Sequence, residues 1–133
     1  MKAKEYLDQY RKLTTRIRIL EREIEMVQEE SAKMDGQPRG SDISDNTSRL
    51  ALKLAEMGDE LAGMKRDALI KREEIRKTIE EVQNDAYSEL LYLRYIELLT
   101  WDGVADQMVY SWRHVLRMHD KAIQEVEKKL KKS

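Results

Sequence analysis

The stretch Trp101-Asp-Gly-Val-Ala-Asp-Gln-Met-Val-Tyr-Ser-Trp-Arg-His-Val-Leu-Arg-Met-His119 decides how this chain is read. Thr100 stands before it as a helix cap, and Val104, Ala105 and Met108 follow at helical spacing. Val109 and Tyr110 occupy a predicted turn. Ser111 then caps a second helix that buries Val115 and Met118. A small residue, Ala105, lets two helices cross closely, and a β-branched residue ten positions later, Val115, fills the space between them. The spacing is that of a helix-turn-helix.

On the second helix, Ser111, Trp112, Arg113, His114 and Arg117 fall near the N-terminal, outward side, where side chains reach base edges or phosphates in a major groove. Lys121, Lys128 and Lys129 extend the charge along the same helix. After Tyr110 the cations Arg113, Arg117, Lys121, Lys128, Lys129, Lys131 and Lys132 stand against Asp120, Glu125 and Glu127. The chain as a whole has a formal net charge of −1, so the positive charge is local and double-stranded DNA is the expected partner. Asp102 and Asp106 on the preceding helix oppose phosphate approach on their own side.

Upstream, Tyr10, Leu13, Ile17, Leu20, Ile24 and Val27 alternate at steps of three and four, with no Pro or Gly between Ala3 and Ser31. This is a heptad seam, which predicts a coiled-coil partner. The segment Met34 to Asp42 holds the only Pro and two Gly residues and predicts a turn. A second seam, capped by Ser44 or Asp45, runs through Leu50, Leu54, Met57, Leu61, Met64, Ala68, Ile75, Ile79 and Val82 to about Asn84. It is longer than the first, so part of its stripe requires another partner. Gly58 and Gly63 mark either a bend or a close helix crossing.

The expected architecture is therefore all-α: a long N-terminal helical hairpin, an antiparallel coiled coil over residues 1–84 that oligomerises, followed by a small helix-turn-helix unit over residues 85–133. The second unit holds both Trp, both His and four of the six Tyr residues. Tyr87, Leu90, Leu91, Arg94 and Tyr95 form the helix that supports the two-helix reader.

Tyr87-Ser-Glu-Leu-Leu-Tyr-Leu-Arg-Tyr-Ile96, then Trp101 to His119, then Ala122 to Leu130 resembles the promoter-reading C-terminal domain of bacterial sigma factors. It is more similar still to small phage and prophage proteins of the RinA and ArpU type, late-transcription regulators with a coiled-coil N-terminal half. The shared pattern is carried by Leu93-Arg94-Tyr95-Ile96, Trp101, Ser111-Trp-Arg113-His-Val115 and His119-Asp-Lys-Ala122. The resemblance implies a phage-derived transcription regulator in a bacterial cytoplasm, a homo-oligomer with a dimer favoured, and contact with host RNA polymerase. Val109 departs from the motif, which usually places Gly in the turn; a β-branched residue resists the left-handed conformation often used there.

Other chemistries find no footing. His114 and His119 are five apart, not at the four-residue spacing of a paired metal site, and Cys is absent, so no metal is expected. No nucleophile-base arrangement or phosphate-cradling Gly-rich loop is present, so neither catalysis nor a cofactor is expected. No apolar run approaches the roughly 20 residues of a membrane span, and the first residues lack the apolar stretch of a signal peptide. The alternatives to a regulator are a DNA-packaging component like a small terminase subunit, which predicts a ring, and a structural coiled-coil adaptor, which predicts no DNA affinity.

Overall fold

The computed structural model describes residues 2–35 and 41–132, with the side chains of 34, 35 and 41–44 left aside. Among the described residues the regular elements are all helices: α1 (Ala3–Leu7), α2 (Gln9–Asp35), α3 (Ser41–Glu80), α4 (Asp85–Tyr95), α5 (Trp101–Met108) and α6 (Trp112–Lys132). The all-α expectation holds. Most of the turn expected at Met34 to Asp42, residues 36–40, lies outside the described residues. α3 begins at Ser41, ahead of the predicted caps, directly after the Pro- and Gly-rich stretch that closes with Gly40. It ends at Glu80, so Asn84 does not close α3 but caps α4, its side chain accepting from the Tyr87 N–H at 3.1 Å.

The chain divides into two compact units, Leu13–Asp67 and Met1–Lys12 with Ala68–Ser133. The division differs from the boundary expected at residue 84. The physical reason is the core of the second unit, which joins Ala3 and Leu7 of α1 and Ile75 and Ile79 of α3 to Leu90, Leu91, Val104, Val115 and Val126. Polar contacts reinforce it. The Ala3 N–H, unpaired within its own short helix, donates to Glu127 Oε1 at 2.7 Å. The Ser88 hydroxyl donates to the Val82 carbonyl at 2.9 Å and lies 3.2 Å from that of Ile79, tying the start of α4 to the turn that follows α3. Tyr6 Oη lies 3.0 Å from Thr78 Oγ1 and 3.3 Å from Glu74 Oε1. The further partner that the long second seam requires is thus found, for Ile75, Ile79 and Val82, inside the chain itself.

In the unit Leu13–Asp67, the seam residues Leu13, Ile17, Leu20 and Ile24 of α2 and Leu50, Leu54, Met57, Leu61 and Met64 of α3 are half-buried, and Val27 is buried. Lys65 Nζ meets Glu21 Oε2 at 3.6 Å between the two helices. The close crossing considered at Gly58 is not found: a methyl group added there meets no atom within 4 Å, and at Gly63 it meets only the flexible end of Arg66 at 3.7 Å. α3 runs through both glycines as one helix.

Candidate nucleic-acid interface

α4, α5 and α6 meet around a buried polar cluster. Tyr95 Oη and His119 Nε2 are 2.7 Å apart and both residues are buried. The Trp101 ring stands edge-on to the His119 ring at 4.7 Å, and the Arg94 guanidinium lies over Trp101 at 4.4 Å while donating to the Leu99 carbonyl at 2.9 Å. Burial, with Lys4 adding to it, pushes His119 down to about 4, and burial pushes the Tyr95 phenol up to about 12. Near neutral pH the imidazole is uncharged and the phenol keeps its proton, so Tyr95 Oη and His119 Nε2 share one hydrogen bond whose donor is set by the imidazole tautomer. The cluster ties one residue of each helix to the next and sets the angle at which α6 presents its outer side. The signal in the sequence was the spacing Val115, His119, Ala122, Val126, which puts His119 on the apolar side of α6.

Local hydrogen bonds set the ends of α5 and α6. Thr100 Oγ1 accepts from the Gly103 N–H at 3.1 Å and Ser111 Oγ from the His114 N–H at 3.2 Å, as the cap pattern predicted. Val104, Ala105, Val115 and Met118 are buried and Met108 half-buried. Between the helices Val109 adopts φ 58° and ψ 45°, the left-handed conformation its branched side chain resists. Its N–H and that of Tyr110 reach back to the Asp106 carbonyl at 3.3 Å and the Ala105 carbonyl at 3.1 Å, closing α5 in a Schellman-type turn.

Of the residues singled out as base or phosphate contacts, Arg113, Arg117 and Lys121 lie exposed at successive four-residue steps on the outer side of α6, and none forms an ion pair among the described residues. Ser111 is exposed but occupied as the cap. Trp112 is 48% exposed, yet its indole N–H is turned back to Asp102 Oδ1 of α5, so its donor is spoken for and its ring is held in place. His114 is half-buried, its ring edge-on to Tyr110 at 4.6 Å. Beside these residues is an open cleft of about 400 Å³ lined by Tyr87, Tyr110, His114, Arg117 and Lys121. The remaining two are not brought to this surface in the same way. Lys128 is exposed but lies 3.5 Å from Glu125 and about 20 Å along the helix from Arg113. Lys129 is half-buried, three residues beyond buried Val126 and on the same side of the helix.

These features define an all-helical protein whose last two helices, joined by a tight turn, display a basic outer surface over a buried aromatic-histidine cluster. The chain belongs to the family described as protein of unknown function (DUF1492), whose model matches residues 26–127, from the second half of α2 into the last turns of α6. No curated protein and no solved structure matches the chain. Among the described residues no helix is long and apolar enough to cross a membrane, and no group of three or more His, Cys, Asp or Glu side chains is placed to hold a metal ion.

Proposed function

We propose that this chain is a DNA-binding transcription regulator of phage origin that uses α5, its turn and α6 as a helix-turn-helix, with α6 entering the major groove. The observation that carries the reading is the row Arg113, Arg117 and Lys121: three exposed cations on one side of a helix, unpaired among the described residues, in a chain of net charge −1. Unpaired cations at this spacing are worth little to the fold and suit a polyanion. The caps at Thr100 and Ser111 and the buried Tyr95–His119 pair support the reading by presenting α6 as a rigid element.

The unit Leu13–Asp67 serves in this reading as an oligomerising hairpin, most simply of a dimer. The five residues 36–40 connecting α2 to α3 span roughly 20 Å at most, so helices that meet at Glu21 and Lys65 run in opposite directions. Their half-buried seams leave apolar surface for a second copy. Contact with host RNA polymerase enters through the resemblance to late-transcription regulators.

The test is a fluorescence-anisotropy titration of the full chain on random-sequence duplex DNA across a salt series, with light scattering on the same sample. The expected outcome is binding by a dimer that weakens steeply with salt, and an Arg117→Ala variant whose plot of log affinity against log salt is shallower by about 0.9. Absence of binding even at low salt refutes the DNA reading. A ring of eight or more subunits turns it toward DNA packaging.

A further inference from the structure

The outer side of α6 is not uniformly basic. Trp112 and Leu116, four residues apart and therefore neighbours on the helix surface, are 48% and 37% exposed, and they form an apolar strip beside the row Arg113, Arg117 and Lys121. The Trp112 indole is held by its hydrogen bond to Asp102, so the strip has a fixed shape before anything binds it. Leu116 does not belong to the buried core that Val115, Met118 and Ala122 build on the other side of the helix.

We propose that Leu116, beside the ring of Trp112, contacts the C5-methyl groups of thymine in the major groove, making thymine a required feature of the duplex sites this chain prefers. The inference rests on the DNA-binding reading above. Charge selects the occupant: a strip bordered by three exposed cations, unpaired among the described residues, fits a polyanion. On a polyanionic duplex the thymine methyl is the apolar feature of the major groove, and it lies among the N7 and O6 acceptors that suit arginine. Double-stranded RNA does not fit, because uracil lacks the methyl and the A-form major groove is too narrow for side chains to read. Asp120, exposed one turn beyond Leu116, places a carboxylate at the end of the strip. It disfavours a phosphate there and directs this side of α6 toward base edges rather than the backbone.

The experiment selects duplexes bound by the full chain from a random-sequence pool. The enriched duplex is then resynthesised with deoxyuridine for every thymine, a change that deletes only the methyl groups, and affinity is read by anisotropy at one salt concentration. The expected result is a roughly fourfold weakening for each contacted methyl. That penalty should shrink toward unity in Leu116→Ala and persist in Leu116→Met, with an unchanged thermal midpoint showing that both variants fold. An enriched duplex bound equally well with deoxyuridine overturns the inference and leaves the DNA-binding reading standing. A penalty unaltered in Leu116→Ala overturns the assignment to this residue. A pool from which no sequence is enriched overturns it as well, and salt-dependent binding to that unselected pool then decides whether the DNA-binding reading survives.

Discussion

The two compact units bury their apolar residues to different depths. In the unit that joins α1 to α4, α5 and α6, Leu7, Leu90, Leu91, Val104, Val115 and Val126 are each less than 2% exposed. In the unit Leu13–Asp67, heptad residues of equal hydrophobicity such as Leu20, Leu54 and Leu61 remain half-buried. The difference is one of dimensionality. Two helices side by side cover each other along one stripe, whereas several helices packed from different directions enclose a side chain completely. A regular heptad pattern thus states that a residue faces a partner, not how much water that partner removes.

The largest expected effect tests this contrast directly. Leu90→Ala removes a fully enclosed side chain and is expected to cost about 3–4 kcal/mol in urea unfolding, whereas Leu54→Ala in the half-buried seam costs about 1 kcal/mol. Equal losses would break the comparison. A Leu54→Ala loss that grows with protein concentration would sharpen it, by showing that a second copy completes the burial of the seam.

Next in size is an acid response confined to the enclosed unit. His119 is held at about 4 when folded and returns to its ordinary value near 6.5 when unfolded. Between these values the unfolded chain binds the additional proton, so stability is fully present above about pH 6.5 and is lost as pH falls toward 4, by roughly 2–3 kcal/mol. His119→Gln, which keeps an acceptor for Tyr95 but cannot take up a proton, should lack this component. The check is the difference between the two proteins' urea midpoints across that pH range. Parallel curves would show that His119 does not titrate against the fold.

The smallest effect lies at the turn between α5 and α6. Val109 is 86% exposed and left-handed, so its side chain adds little packing while its backbone is strained. Val109→Gly should raise stability by up to about 1 kcal/mol, the relieved strain outweighing the additional freedom of glycine in the unfolded chain. A loss of stability in thermal melts would mean that the valine methyls pack on the turn more than their exposure indicates.

Much of the fold was legible from neighbouring residues. The cap patterns at Thr100 and Ser111 located the starts of α5 and α6, and Ala105 and Val115 occupy the buried positions that the spacing assigned to them. The candidate contact surface was legible in part. Arg113, Arg117 and Lys121 share an exposed side of α6, but the turning of the Trp112 indole to Asp102 and the partial burial of Lys129 were not read. Each depends on packing that a list of charged residues after Tyr110 does not contain.

What the sequence by itself determined, then, is that the chain is helical, where α5 and α6 begin, and which side of each amphipathic helix is apolar. These follow from hydrogen bonds and side-chain neighbours three or four residues apart, which the order of residues specifies directly. Only the tertiary structure decided that Ala3 and Leu7 share a core with Val126, and that Glu127 caps the Ala3 N–H. It alone paired His119 with Tyr95 in a dry interior that keeps the imidazole neutral. Those contacts join residues 24 to 124 positions apart, and the exclusion of water that gives them their character exists only once several helices have closed around the same point.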